Sequence, residues 1–354
     1  MELSAKAISL LKQLIETPSF SKDEIGTADL IQSFFNNQGV STERLGNNVW
    51  AKNFHFSEAK PTVLLNSHHD TVKPNTGYTK DPFKAIEENG RVYGLGSNDA
   101  GGSLVSLMVT FLHFYDREDL ECNLILAATA EEEISGKGGI EALLPHLPAI
   151  DFGIVGEPTF MNLAIAEKGL MVLDCVAKGQ SGHAARNEGV NAIYAAMRDI
   201  HWFRTHEFLK KSEALGPIKM SVTMIDAGSQ HNVVPDECRF VIDVRTTDAY
   251  SNQETLDIIR ENVESIVTPR STRLNPSGID IDHPIVKAGL AMGIKAYGSP
   301  TLSDQALMLF PTLKIGPGDS ARSHTADEFI HINEIKEGID IYIKLLRTVI
   351  TRKK

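Results

Sequence analysis

Four short apolar runs in this chain end in acids or histidines, and that repeat constrains the fold more than any other feature. Thr62-Val-Leu-Leu-Asn66 leads into Ser67-His-His-Asp70, and Cys122-Asn-Leu-Ile-Leu-Ala-Ala128 into Thr129-Ala-Glu-Glu-Glu133. Asp151-Phe-Gly-Ile-Val155 leads into Gly156-Glu-Pro158, and Thr312-Leu-Lys-Ile315 into Gly316-Pro-Gly-Asp319 and then His324. Runs this short, bounded by glycine or polar residues, suit buried strands. Helical stretches lie between them, roughly over 101–115, 138–147 and 284–294. Strand alternating with helix predicts an α/β fold with a mainly parallel sheet and helices on both faces. In open sheets of this kind ligands bind beyond the C-terminal strand ends, which is where these acids and histidines fall.

The chain opens with apolar residues at helical spacing from Leu3 to Ile15, stopped by Pro18, and a second helix is predicted over 23–37 with Gly39 just beyond. Short strands follow at 40–45 and 48–54. Between 166 and 276 the pattern changes to strands at 169–176, 219–227 and 237–245 and helices at 190–205 and 252–266. That set can form a small sheet with helices on one face, a two-layer α/β ferredoxin-like unit. The expected organisation is a discontinuous domain, 1–165 and 277–354, interrupted by an inserted domain at 166–276.

A length of 354 residues suits two domains. The net charge of −11, with no Lys/Arg-rich run, argues against a nucleic-acid partner. Cys122, Cys175 and Cys238 are odd in number, widely spaced and set in apolar runs, so buried reduced thiols are expected rather than zinc ligands. The first residues hold no apolar block like a signal peptide's, and no apolar stretch is long enough to span a bilayer. A soluble, cytoplasmic protein with no membrane partner is the expectation.

Side chains alternate faces along an extended segment, so His68 and Asp70 point the same way and His69 points away. His68 as a metal ligand with Asp70 behind it fits the habit of metal-bound imidazoles, which give their second ring proton to an oxygen. A polar strand end with a satisfied core histidine accounts for the same residues. Asp99, in Gly94-Leu-Gly-Ser-Asn-Asp-Ala-Gly-Gly102, stands near a helix start, where it can cap the helix or bridge two cations. Glu131, Glu132 and Glu133 repel one another unless compensated, and they hang from a buried strand rather than a solvated helix. Glu157 and His324 repeat the theme. Nitrogen and oxygen donors of this mix suit zinc, or a related ion such as cobalt or manganese.

The order and surroundings of these residues resemble the M20 metallopeptidase family, in particular its acetylornithine deacetylase and succinyl-diaminopimelate desuccinylase branch. The matching segments are Ser67-His-His-Asp-Thr-Val72, Tyr93 to Gly102, Thr129 to Glu133, Gly156-Glu-Pro-Thr159, Ser181-Gly-His-Ala184 and His324-Thr325. Ser67, Lys73 and Glu131 depart from the family's common pattern, and none of them is a proposed ligand or base. The resemblance implies a zinc-peptidase-like catalytic domain and a dinuclear amidohydrolase. One divalent metal ion would be held by His68 and Glu157, the other by Glu133 and His324, and Asp99 would bridge them. It implies Glu132 as general base and Asp70 as support for His68. It also implies a homodimer through the inserted domain, with His183 reaching the partner subunit's site, and substrate binding by Asn232 and Arg245. The implied reaction is deacylation of an N-acyl amino acid in arginine biosynthesis, with N-acetylornithine, N-acetylcitrulline or N-succinylornithine as substrate. A di- or tripeptidase of the same family is the alternative.

Overall fold

In the strand Thr62–His68 every residue is buried, and alternation sends its neighbours into two different cores. Leu65 joins Leu11, Phe111 and Tyr342 on one side, while Leu64 joins Trp50, Ile125 and Leu143 on the other. A strand apolar on both faces needs a cover on both, and helices supply it. The computed structural model describes residues 2–186 and 188–351. The chain divides into two units: Met1–Ile165, Gly278–Tyr297 and Ser303–Lys354 form one, Ala166–Ser277 and Gly298–Leu302 the other.

The sheet of the first unit runs in the order Glu43–Leu45, Asn48–Lys52, Asn123–Thr129, Thr62–His68, Phe152–Val155, Thr312–Lys314, Leu163–Glu167. The middle strands, from Asn123–Thr129 to Thr312–Lys314, are parallel, and the pairings outside them are antiparallel. The strand predicted to end at Asn66 continues to His68, whose register partner is Thr129. The helix predicted over 138–147 is only Ile140–Leu143, followed by a 3₁₀ turn at Leu144–His146, because Pro145 has no N–H for a helical ladder. Several elements were not read from the sequence, the strand Leu163–Glu167 among them. Another is a small antiparallel sheet of Ile86–Glu88, Arg91–Tyr93 and Phe329–His331. A third is the C-terminal helix Ile332–Ile350, which buries Ile335, Ile339, Tyr342, Leu345, Leu346 and Ile350.

The second unit follows a strand-helix-strand-strand-helix-strand order. Its antiparallel sheet runs Lys219–Ala227, Glu237–Thr246, Gly169–Lys178, Ile266–Pro269. The helices Ala192–Thr205 and Asn252–Asn262 cover one face, with Ala196, Phe203, Leu256 and Ile259 against Leu173, Cys175, Phe240 and Ile242. The predicted helix over 252–266 stops at Asn262, and Ile266–Pro269, rich in β-branched residues, pairs as an edge strand. This is a two-layer α/β, ferredoxin-like arrangement.

Candidate active site

The parallel strands end together, and their next residues converge. His68 closes its strand, Glu132 and Glu133 begin a 3₁₀ turn just past Asn123–Thr129, and Glu157 stands two residues past Phe152–Val155. Asp99 and His324 come from loops. Asp99 does not cap the helix Gly102–Phe114; it lies in the wide turn Ser97–Gly101, with its carboxylate directed between two histidines. Its Oδ1 is 3.3 Å from His68 Nε2 and its Oδ2 is 3.7 Å from His324 Nε2. His324 Nε2 also lies 2.9 Å from Glu133 Oε2. Glu157 Oε1 and Glu132 Oε2 stand 3.7 Å and 3.9 Å from His68 Nε2.

Asp70 lies behind this group, fully enclosed. Its Oδ1 is 3.4 Å from His68 Nδ1 and accepts the Glu132 amide at 3.0 Å. Its Oδ2 accepts the Glu133 amide at 3.1 Å and the Ser21 hydroxyl at 2.7 Å. The Asp70 carbonyl, 3.0 Å from His68 Nδ1, orients the histidine, while the Asp70 carboxylate fixes the backbone of both glutamates. His69 points away, as alternation requires, and is a satisfied core histidine between the Thr27 hydroxyl (2.8 Å) and the Asn47 carbonyl (2.9 Å). Glu131 also leaves the cluster. With φ at +57° it turns its side chain onto Gly136 and Gly138, where any Cβ would meet the carboxylate.

Burial alone would lower the His68 imidazole, but Asp70, Asp99, Glu132 and Glu157 carry it well above its ordinary value. His324 is pushed up to about 9, first by its bond to Glu133. Burial, with Asp99 and Glu133 nearby, lifts Glu157 to about 8 although His68 and Lys314 oppose it. Burial likewise holds Glu132 well above the carboxylate range, with Glu157, Asp304 and Glu133 adding to it. A cation among these carboxylates would remove that cost. His68, Asp99 and Glu133 form one group with ligand atoms mutually close enough for an ion, and His68, Glu132 and Glu157 form another. All the donors are nitrogen or oxygen, which fits zinc or a related divalent ion.

Two buried acids adjoin the cluster. Asp304 is buried and opens a short 3₁₀ turn without capping it. Ser303 caps the short 3₁₀ turn, and Asp304 Oδ2 accepts from Asn66 Nδ2 at 2.8 Å and Thr129 Oγ1 at 2.7 Å. Glu328 was not read as a site residue. Its only local signal was an acid immediately before the strand Phe329–His331, the opposite end from the acids that follow the parallel strands.

His183, Asn232 and Arg245 lie in the second unit. His183 is exposed on the two-residue strand Gly182–His183, and the Asn232 carbonyl accepts the Ala184 amide at 3.0 Å. A cleft of about 510 Å³ opens beside them, lined by Ala184, Asn191, Gln230, His231 and Pro235 among others. Arg245 forks onto Asp243, with Nε to Oδ1 at 2.9 Å and Nη2 to Oδ2 at 3.1 Å, so its guanidinium already has a carboxylate partner.

The sequence profile of peptidase family M20/M25/M40 matches residues 64–348, which contain the whole of this cluster. The chain belongs to that family and is a hydrolase of a metal-dependent class. It is 27% identical to the acetylornithine deacetylase of Proteus mirabilis, across 98% of this chain and 97% of that one. It is 29% identical to the succinyl-diaminopimelate desuccinylase of Paracoccus denitrificans, across 73% of this chain and 72% of that one. Its fold is similar to a dinuclear metal-binding peptidase of the family from Bacillus subtilis, with a TM-score of 0.74 at 15% identity over 98% of this chain and 99% of the other.

Proposed function

We propose that this chain is a dinuclear deacylase that hydrolyses the amide bond of an N-acylated amino acid, N-acetylornithine or a close analogue such as N-acetylcitrulline or N-succinylornithine, in arginine biosynthesis. The observation that carries the two-ion reading is Asp99, which offers one oxygen to His68 and the other to His324. His68 and Glu157 would hold one ion, Glu133 and His324 the other, with zinc preferred and cobalt or manganese as substitutes. When bound, the pair supplies Lewis-acid polarisation of water and of the scissile carbonyl. Glu132, held in place by Asp70 through its amide, would take a proton from the attacking water and deliver it to the leaving amine.

The inserted unit would make the homodimer. Its edge strand Lys219–Ala227 exposes Met224 and Ile225, and the helix Ala192–Thr205 exposes Tyr194 and Met197. Unpaired strand edges and exposed apolar side chains favour pairing with a second copy. The partner subunit's His183 would then polarise the carbonyl, with Asn232 beside it. Arg245 would bind a substrate carboxylate only by sharing or leaving Asp243. A one-chain mass in light scattering would overturn the dimer. Free thiols at Cys122, Cys175 and Cys238 suit a reducing compartment, and we place the reaction in the cytoplasm.

The end-to-end match to an acetylornithine deacetylase supports the deacylase branch, and Glu157 in place of aspartate resembles that branch too. The fold likeness to a peptidase keeps a di- or tripeptidase as the second reading. The test is hydrolysis of N-acetylornithine, N-acetylcitrulline, N-succinylornithine, N-succinyl-diaminopimelate and several dipeptides by zinc- or cobalt-loaded protein. Chelator-sensitive release of acetate or succinate is expected. Cleavage of dipeptides alone would replace this reading with the second.

A further inference from the structure

Glu328 is 2% exposed and stands four residues after His324. Its carboxylate accepts three main-chain N–H groups of a single loop. Oε2 takes Gly96 at 3.1 Å, and Oε1 takes Asn98 at 2.8 Å and Asp99 at 2.9 Å. Its carbonyl oxygen takes Gly94 at 3.0 Å. Gly96, at φ +74°, lets the loop turn these amides inward, a conformation other residues reach only at a cost. The Glu328 carboxyl is thus the template around which the Asp99 turn is wound.

The segment carrying Glu328 is itself held from the other side. Asp327 accepts the amides of Thr79 at 2.8 Å and Lys80 at 2.9 Å, and Asn75 Nδ2 donates to the His324 carbonyl at 3.1 Å. His324 and Asp327 sit at φ +60° and +52°, left-handed values that persist only where surroundings enforce them. The other metal-site residues have a different support. His68 lies within a parallel strand and Glu157 two residues beyond one, so the sheet ladder places them. Asp99 and His324 come from loops that no strand of the parallel sheet leads into directly, and Glu328 joins those two loops.

Resting on the two-ion reading above, we propose that Glu328 is a positioning residue that sets Asp99 against His324. It therefore governs the ion position between Glu133 and His324 more than the one between His68 and Glu157. The second position takes both its loop ligands from segments that this tie joins; the first takes only Asp99 from them. Outer partners of metal ligands typically change ion affinity by about 10–100-fold when removed.

The test is titration of the metal-free, full-length protein with Co²⁺, followed by calorimetry and visible absorption, for wild type, Glu328→Gln, Glu328→Ala and His324→Ala. Glutamine keeps the shape and one acceptor oxygen for Asn98 and Asp99, but turns an NH₂ donor towards the Gly96 amide. Wild type should bind two ions. Both Glu328 variants should bind one ion about 10–100-fold more weakly and weaken the other by less, and the absorption bands they lose should be those lost in His324→Ala. If wild type binds fewer than two ions, the two-ion reading falls and this inference with it. If wild type binds two and the Glu328 variants bind both unchanged, or weaken both equally, the inference alone is wrong. Should Glu328→Ala lose its circular dichroism, Glu328→Gln decides.

Discussion

Three consecutive glutamates take three different directions, and the chemistry depends on which. Glu131 is turned out by its left-handed backbone, Glu133 meets His324, and Glu132 faces the space beside His68. Glu132→Gln keeps that shape and removes the base. Turnover should fall by about 10²–10⁴-fold while ion binding measured by calorimetry stays intact; a near-normal kcat would sink the assignment. His69 shows the opposite use of a histidine. Its Nε2 faces the Asn47 carbonyl and must carry a proton, which leaves Nδ1 to accept from Thr27. Burial is the main cause that lowers it from 6.5 to about 4. The folded state therefore favours the neutral ring, so this contribution is whole above pH 6.5 and drains as pH falls through about 4. The amount at stake is on the order of 3 kcal/mol. Melting temperature should drop over that window in wild type and less in His69→Gln. Parallel profiles for the two proteins would refute it. The sequence showed that His68 and Asp70 share a face. It did not show that Asp70 would also collect two amides and a hydroxyl, because Ser21 and the 132–133 backbone reach it only through the fold.

Among the elements, strand ends were the more legible and helix limits the less. Strand-forming runs here are apolar on both faces and stop where polarity begins. Helix ends depend on local chemistry that a periodicity count passes over: Pro145 shortens one helix, and the β-branched Ile266-Val-Thr268 is drawn into the sheet rather than continuing another. The C-terminal helix had the needed spacing from Ile335 to Ile350, and its capping box pairs His331 with Glu334. Histidine is not among the usual N-cap residues, so the start signal was weak. Ser251 and Glu254 form a stronger box at the start of Asn252–Asn262, in the second unit. Ser251→Ala should cost about 1 kcal/mol of stability and leave ion binding unchanged. Denaturant unfolding checks the first and calorimetry the second; a change in ion affinity would contradict the placement of the site wholly in the first unit.

At the scale of the molecule, the clustered carboxylates predict a first unit that gains stability from bound metal. A ligand held only by the folded state adds stability with its concentration, about 4 kcal/mol at a thousandfold excess over Kd. Chelation should abolish activity and lower the unfolding temperature of the first unit, with the second unit's transition unmoved, and added zinc should restore both. A scanning calorimetry trace unaffected by chelator would count against the metal site. Burial on two faces and polar strand ends are local patterns, so the layered α/β class and the parallel strands were legible in the residues alone, and the family resemblance then singled out seven of the candidate acids and histidines. How they meet depends on contacts between distant parts of the chain. Asp99 faces both histidines because Glu328, more than two hundred residues away, gathers its loop. Long-range ties of that kind leave no period in a sequence, since loop closure fixes them and not the spacing of side chains.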